Sequence, residues 1–117
     1  VPAHLGGRAS KVLRIGALVF RHEPTGEIGE VSGHLHPAAK IIGRGRSVRR
    51  RCFASDGARL VMPAMGAFTG GLNVLDEAFA PIFPEGAMAF ALGQDRVFMV
   101  AAKSLVADMP RGARWKF

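Results

Sequence analysis

Two histidines separated by one residue, His34 and His36 in Gly33-His34-Leu35-His36-Pro37, are the side chains of this sequence best suited to chemistry. In an extended segment successive side chains alternate faces, so positions i and i+2 point the same way. Neutral imidazole is the commonest metal ligand, so such a pair can offer two nitrogens to one ion. The plainer alternative is a hydrogen-bonded pair at a strand end. A third histidine, His22 in Arg21-His22-Glu23-Pro24, lies upstream in a segment of similar look. His22, His34 and His36 together could hold one zinc ion with water in the fourth position, as catalytic zinc sites do.

Familiar motifs do not absorb these residues. A zinc-protease helix needs a second histidine four residues after the first, and here Pro24 follows His22-Glu23 at once. A cupin needs a glutamate soon after its His-x-His, but His36 is followed by Pro37, Ala38, Ala39 and Lys40. The glycine-rich run Met65–Asn73 has neither the lysine nor the spacing of a phosphate-binding P-loop.

The second chemical feature is charge. The chain carries a formal +7 with a pI near 11.1, and much of the excess lies in Arg44, Arg46, Arg49, Arg50 and Arg51. A basic balance favours anionic partners such as nucleic acid or phosphate esters. These arginines form either a phosphate-contacting lip beside the histidines or a solvated strand and loop. No aromatic residue interleaves with them, so base stacking of the single-strand-binding kind is not supported.

The elements that must position these residues are mostly strands. At 117 residues, 49% hydrophobic and 21% charged, the chain is one domain or part of one, with globular composition. The lone Cys52 excludes an internal disulfide and fits a reducing, cytoplasmic setting as a buried apolar side chain. The longest uncharged run, 60–75, is interrupted by Pro63, Gly66, Gly70 and Gly71 and cannot cross a bilayer as a helix. Strands are expected over 11–21, 27–32, 40–42 and 47–54, the last two flanking a Gly-Arg-Gly-Arg turn. Asp56-Gly57 predicts a hairpin with 59–63, and a final hairpin joins 88–92 to 96–100. Pro81 and Pro84 restrict 74–84 to a short helical turn. That makes about seven strands, with 1–10 (including His4) and 108–117 (including Trp115) as loose termini.

Three segments, Leu-Val-Phe-Arg-His-Glu-Pro (18–24), Gly-Glu-Val-Ser-Gly-His-Leu-His-Pro-Ala-Ala-Lys (29–40) and the run 52–74 ending Gly-Ala-Phe-Thr-Gly-Gly-Leu-Asn-Val, resemble calcineurin-like metallophosphoesterases. The branch they resemble most is the bacterial ligase-associated DNA damage response endonuclease. The resemblance spans about 16–74 and extends loosely to residue 100. It implies an α/β class, mostly β here: half of a β-sandwich flanked by helices, with 1–117 as the C-terminal half of one domain and the N-terminal half missing. It implies two divalent metals (manganese, iron or zinc), with His22 and His34 on the second and His36 on the first. Glu23 would orient an imidazole by adjacency. The family's Asp-x-His, Gly-Asp and Gly-Asn-His elements do not occur upstream. No catalytic residue is therefore expected within the chain, and the isolated 117 residues are expected to be inactive.

For the whole protein the resemblance implies hydrolysis of a phosphate ester by metal-held hydroxide, with DNA as a candidate substrate. Association with a DNA ligase or helicase is implied by the branch alone. No membrane partner is expected, and an uncovered sheet face would make the chain a homo-oligomer. The competing reading, from a different class, is a small basic β-module that binds nucleic acid or protein without catalysis.

Overall fold

The computed structural model describes residues 12–66 and 71–108. Nine strands form a mixed sheet: β1 (Val12–Ile15), β2 (Leu18–Arg21), β3 (Glu30–Ser32), β4 (Pro37–Gly43), β5 (Arg46–Ser55), β6 (Leu60–Val61), β7 (Leu72–Asn73), β8 (Met88–Leu92) and β9 (Val97–Val100). The order is β1-β2-β3-β6-β5-β4-β7, with β8 added to β5 and β9 to β8. Single 3-10 turns at Glu77–Phe79 and Ala102–Ser104 are the helical content of the described residues. The mostly-β expectation stands, but no α-helix flanks the sheet among those residues. His4, Trp115 and the expected loose ends 1–10 and 109–117 lie outside them. Asp108, assigned to the tail, is instead paired with Arg49.

The strand expected over 11–21 is two strands. Gly16 takes φ +59°, and the chain reverses so that Ile15 pairs Leu18 and Val12 pairs Arg21. A tight hairpin favours glycine at such a position. Shorter elements of this kind raise the count from about seven to nine.

β5 is the strand on which the sheet is assembled. Its first part, Arg46–Arg51, pairs with β4. Its last part, Cys52–Ser55, pairs with β8, while Ala54 and Ser55 also meet β6. Small side chains on these strands, Ala39, Cys52, Ala54, Ala89 and Ala91, are fully buried. They leave room for Phe79, Ile82 and Phe83 to lie close over the sheet, with the two phenyl rings stacked at 6.5 Å. The segment carrying those rings starts at Asp76, whose carboxylate accepts from Ala78 N at 2.9 Å. Pro81 and Pro84 then stop the helix from lengthening, as expected.

β2, β3 and β6 are parallel neighbours. Parallel pairing usually needs a crossover of about a dozen residues or more. Here residues 22–29 alone join β2 to β3. Gly29 makes that reversal possible: it sits at φ +84°, and a Cβ there would lie 2.2 Å from the Ala17 carbonyl oxygen. Its own N–H donates to Ala58 O at 2.7 Å, and its carbonyl accepts from Val19 N at 2.9 Å.

Candidate metal centre

Because β2, β3 and β6 run the same way, their carboxyl ends open on one edge of the sheet. Ligand sites in open parallel sheets form at such ends. His22 follows β2 directly, and Gly33-His34 follows β3. Main-chain bonds tie the three exits together. Gly33 N donates to His22 O at 2.9 Å, and Met62 N donates to Ser32 O at 2.7 Å.

The ties bring two of the three histidines into contact. His34 Nδ1 lies 3.2 Å from His22 Nε2, and the rings meet edge to face with centroids 5.1 Å apart. Two nitrogens bound to one tetrahedral metal at about 2.0–2.1 Å are separated by roughly 3.3 Å. The spacing therefore fits two corners of a coordination shell. It equally fits an N–H···N hydrogen bond in which one neutral ring donates to the other. His36 has no hydrogen bond or ring contact to either among the described residues. Within those residues, no group of three or more His, Cys, Asp or Glu side chains is arranged to hold a metal.

The same-face argument for His34 and His36 fails on backbone grounds. His34 has φ +71° and His36 φ +50°, so the segment is a bend, not an extended strand. Leu35 N folds back onto Gly33 O at 2.9 Å. Two left-handed non-glycine residues within three positions cost about 1–3 kcal/mol each, and such strain concentrates at functional sites.

The residue that organises the His22 loop was not foreseen. Glu30 is 1% exposed, and its carboxylate accepts from Thr25 N at 2.9 Å, Thr25 Oγ1 at 2.7 Å and Gly26 N at 3.0 Å. Arg21 Nε lies 3.3 Å from it, an ion pair without hydrogen-bond alignment. The same guanidinium reaches Glu27 at 2.8 Å, and Glu27 also pairs with Arg14. The hydrogen bond from Arg14 holds the Glu27 carboxyl below its ordinary range. Glu30 follows two glycines at close spacing, Gly26 and Gly29, and nothing in that pattern announces a buried acid. Glu23, expected to orient an imidazole, is exposed and joins neither ring by any hydrogen bond among the described residues.

The five arginines divide into two groups. Arg49 is engaged: it pairs with Asp108 at 2.6 Å and donates to Gly71 O at 2.5 Å. Arg51 donates to Ala64 O at 3.3 Å. Arg44, Arg46 and Arg50 are exposed. The cluster is spread along the hairpin: Arg51 and Arg50 pair with Ala38 and Ala39, two and three residues after His36, whereas Arg44 and Arg46 lie at the far end of β4, roughly 20 Å from that loop at about 3.3 Å per residue.

The chain shares its fold with Pseudomonas putida nuclease MPE. The crystal structure of that nuclease superposes with a TM-score of 0.61 at 24% identity, over 86% of this chain and 46% of the nuclease. The chain thus spans less than half the length of the nuclease MPE. A search of known protein families finds none that matches, and no curated protein matches either. Among the described residues, no helix is long and apolar enough to cross a membrane.

Proposed function

We propose that this chain is the C-terminal half of a metal-dependent phosphoesterase domain, and that the whole protein is a nuclease acting on phosphodiesters. The observation that carries the proposal is the His22–His34 contact of 3.2 Å, at the exits of two adjacent parallel strands. The fold shared with the nuclease MPE supports the reaction class. The short span of the shared region supports the idea that the other ligands come from outside these 117 residues.

In this reading His34 Nδ1 and His22 Nε2 hold one divalent ion, and His36 serves a neighbouring one. Manganese, iron and zinc all suit imidazole-containing sites. Bound there, such ions supply Lewis acidity toward phosphoryl oxygen and acidify water to hydroxide. The contribution of this chain is to fix two imidazoles at chelating distance and to anchor the His22 loop through Glu30. Substrate is a phosphate ester, with the arginine-bearing β4–β5 region as its phosphate contact.

The test is manganese-dependent hydrolysis of a chromogenic phosphodiester and of duplex DNA by the full-length protein. His22→Ala and His34→Ala are each expected to lose about 100-fold or more, since even partners one step removed from a metal cost 10–100-fold. Metal-dependent turnover persisting in both variants refutes the proposal. A wild-type protein that hydrolyses nothing, yet binds nucleic acid in a salt-sensitive way that survives loss of both histidines, would establish the basic-module reading instead.

A further inference from the structure

The β4–β5 hairpin is built like an arm. Near its base β4 pairs β7, and Ile41 bridges Leu105. Beyond that, Ile42 and Gly43 pair with Ser47 and Arg46 and with no other strand among the described residues. The two strands close through Arg44 and Gly45, both left-handed at φ +53° and +76°. A two-residue turn of this kind favours Asn-Gly or Gly-Gly. Arginine in the first position is a conformational cost accepted at the outermost point of the molecule's ribbon.

The charge on the arm is one-sided. From Val31 to Ser55 there is no acidic residue, while Lys40, Arg44, Arg46, Arg49, Arg50 and Arg51 are cations. Asp108 answers Arg49. No hydrogen bond or ion pair answers Arg44, Arg46 or Arg50 among the described residues. Arg46, Val48 and Arg50 share one face of β5 by strand alternation. Val48 leaves 43% of its surface exposed between these arginines, while Ile42, which pairs with Ser47, is 45% exposed on the opposite face.

We propose that this two-stranded arm docks in a groove of duplex DNA, with Arg44, Arg46 and Arg50 on phosphates. The inference rests on the phosphodiesterase reading for its choice of partner. A two-stranded ribbon fits the B-DNA major groove, where an exposed apolar side chain such as Val48, on the face of Arg46 and Arg50, can meet a thymine methyl. The ribbon carries no aromatic residue between Pro37 and Cys52, so it offers no stacking platform for a single strand. Its reach of roughly 20 Å from the histidine loop corresponds to about six base pairs at 3.4 Å each. The arm therefore makes the enzyme sense duplex to one side of the reacting phosphate.

The experiment is fluorescence-anisotropy titration of a 24-base-pair duplex with the full-length protein in EDTA, across a series of salt concentrations. Reading binding without metal separates this inference from the nuclease reading, which fails or stands on hydrolysis. The triple variant Arg44→Gln, Arg46→Gln, Arg50→Gln is expected to flatten the log–log salt slope by about 2.7, three phosphates at about 0.9 each. The triple Arg→Lys variant, which keeps the charges, is expected to restore the slope. Arg49→Gln, whose side chain is held by Asp108, should change it little. An unchanged slope in the Gln triple variant overturns the inference, as does a Gln triple variant that keeps duplex affinity while losing affinity for anionic phosphatidylserine vesicles. A wild-type protein that does not bind the duplex overturns it too.

Discussion

Gly29→Ala tests whether the short parallel connection sets up the site. The substitution imposes two separate costs. An L-residue at φ +84° costs about 1–2 kcal/mol relative to glycine. The added Cβ would also stand 2.2 Å from the Ala17 carbonyl, where real Cβ atoms stay beyond about 3.0 Å. The β1–β2 turn must then give way by the better part of an ångström, and with it the Val19 N to Gly29 O bond. Adding backbone strain of order 1–2 kcal/mol gives a loss of about 3 kcal/mol. That is a large share of the 5–15 kcal/mol typical of a folded domain. At a urea slope of about 2 kcal/mol per molar, the midpoint should fall by about 1.5 M. Gly45→Ala is the control: its φ is +76° but no atom lies within 4 Å, so it should lose the conformational part alone. Equal midpoints for the two variants in urea titrations followed by circular dichroism would refute the reasoning.

Two further predictions follow from burial. Cys52 is fully buried and burial pushes its thiol up to about 12, so a maleimide should label it in urea and spare it in the native protein. The unfolded thiol ionises from about pH 8.5 and the folded one does not until about 12. The unfolded chain thus binds fewer protons between those values, and stability falls there as pH rises, by up to about 1.4 kcal/mol per unit. Cys52→Ala should lack that component in alkaline denaturation curves. The 117-residue chain alone is expected to self-associate through the β1–β2 hairpin, where Leu13, Ile15 and Leu18 are 52%, 58% and 46% exposed beside a groove of about 640 Å³. Light scattering that gives a monomer mass at micromolar concentration contradicts this.

Local chemistry made much of the sheet legible in the sequence. The Gly43–Arg46 turn, the Asp56-Gly57 hairpin and the 88–100 hairpin all carry turn residues between β-favouring runs, and all three appear. The split at Gly16 was missed because a glycine within an apolar run reads equally as a bulge, whereas here it closes a hairpin. The histidine contact was found for an incomplete reason. Types and spacing singled out His22 and His34, but their meeting depends on parallel pairing of β2 with β3, a non-local fact. Period-two reasoning placed His34 and His36 together and failed, since both residues are left-handed and alternation no longer applies. Glu30 was illegible because a buried carboxylate is recognised by its donors, and those donors are backbone groups of a loop not yet built.

The hydrogen bond from Gly33 N to His22 O is blind to side-chain identity. Exchanging either imidazole for a thiolate or carboxylate would leave that clasp intact, and the newcomer would inherit the same bite. On the proposed metal-binding reading, the sheet edge would then be a two-toothed frame whose appetite for soft or hard ions could be retuned by point substitution, with no strand rebuilt.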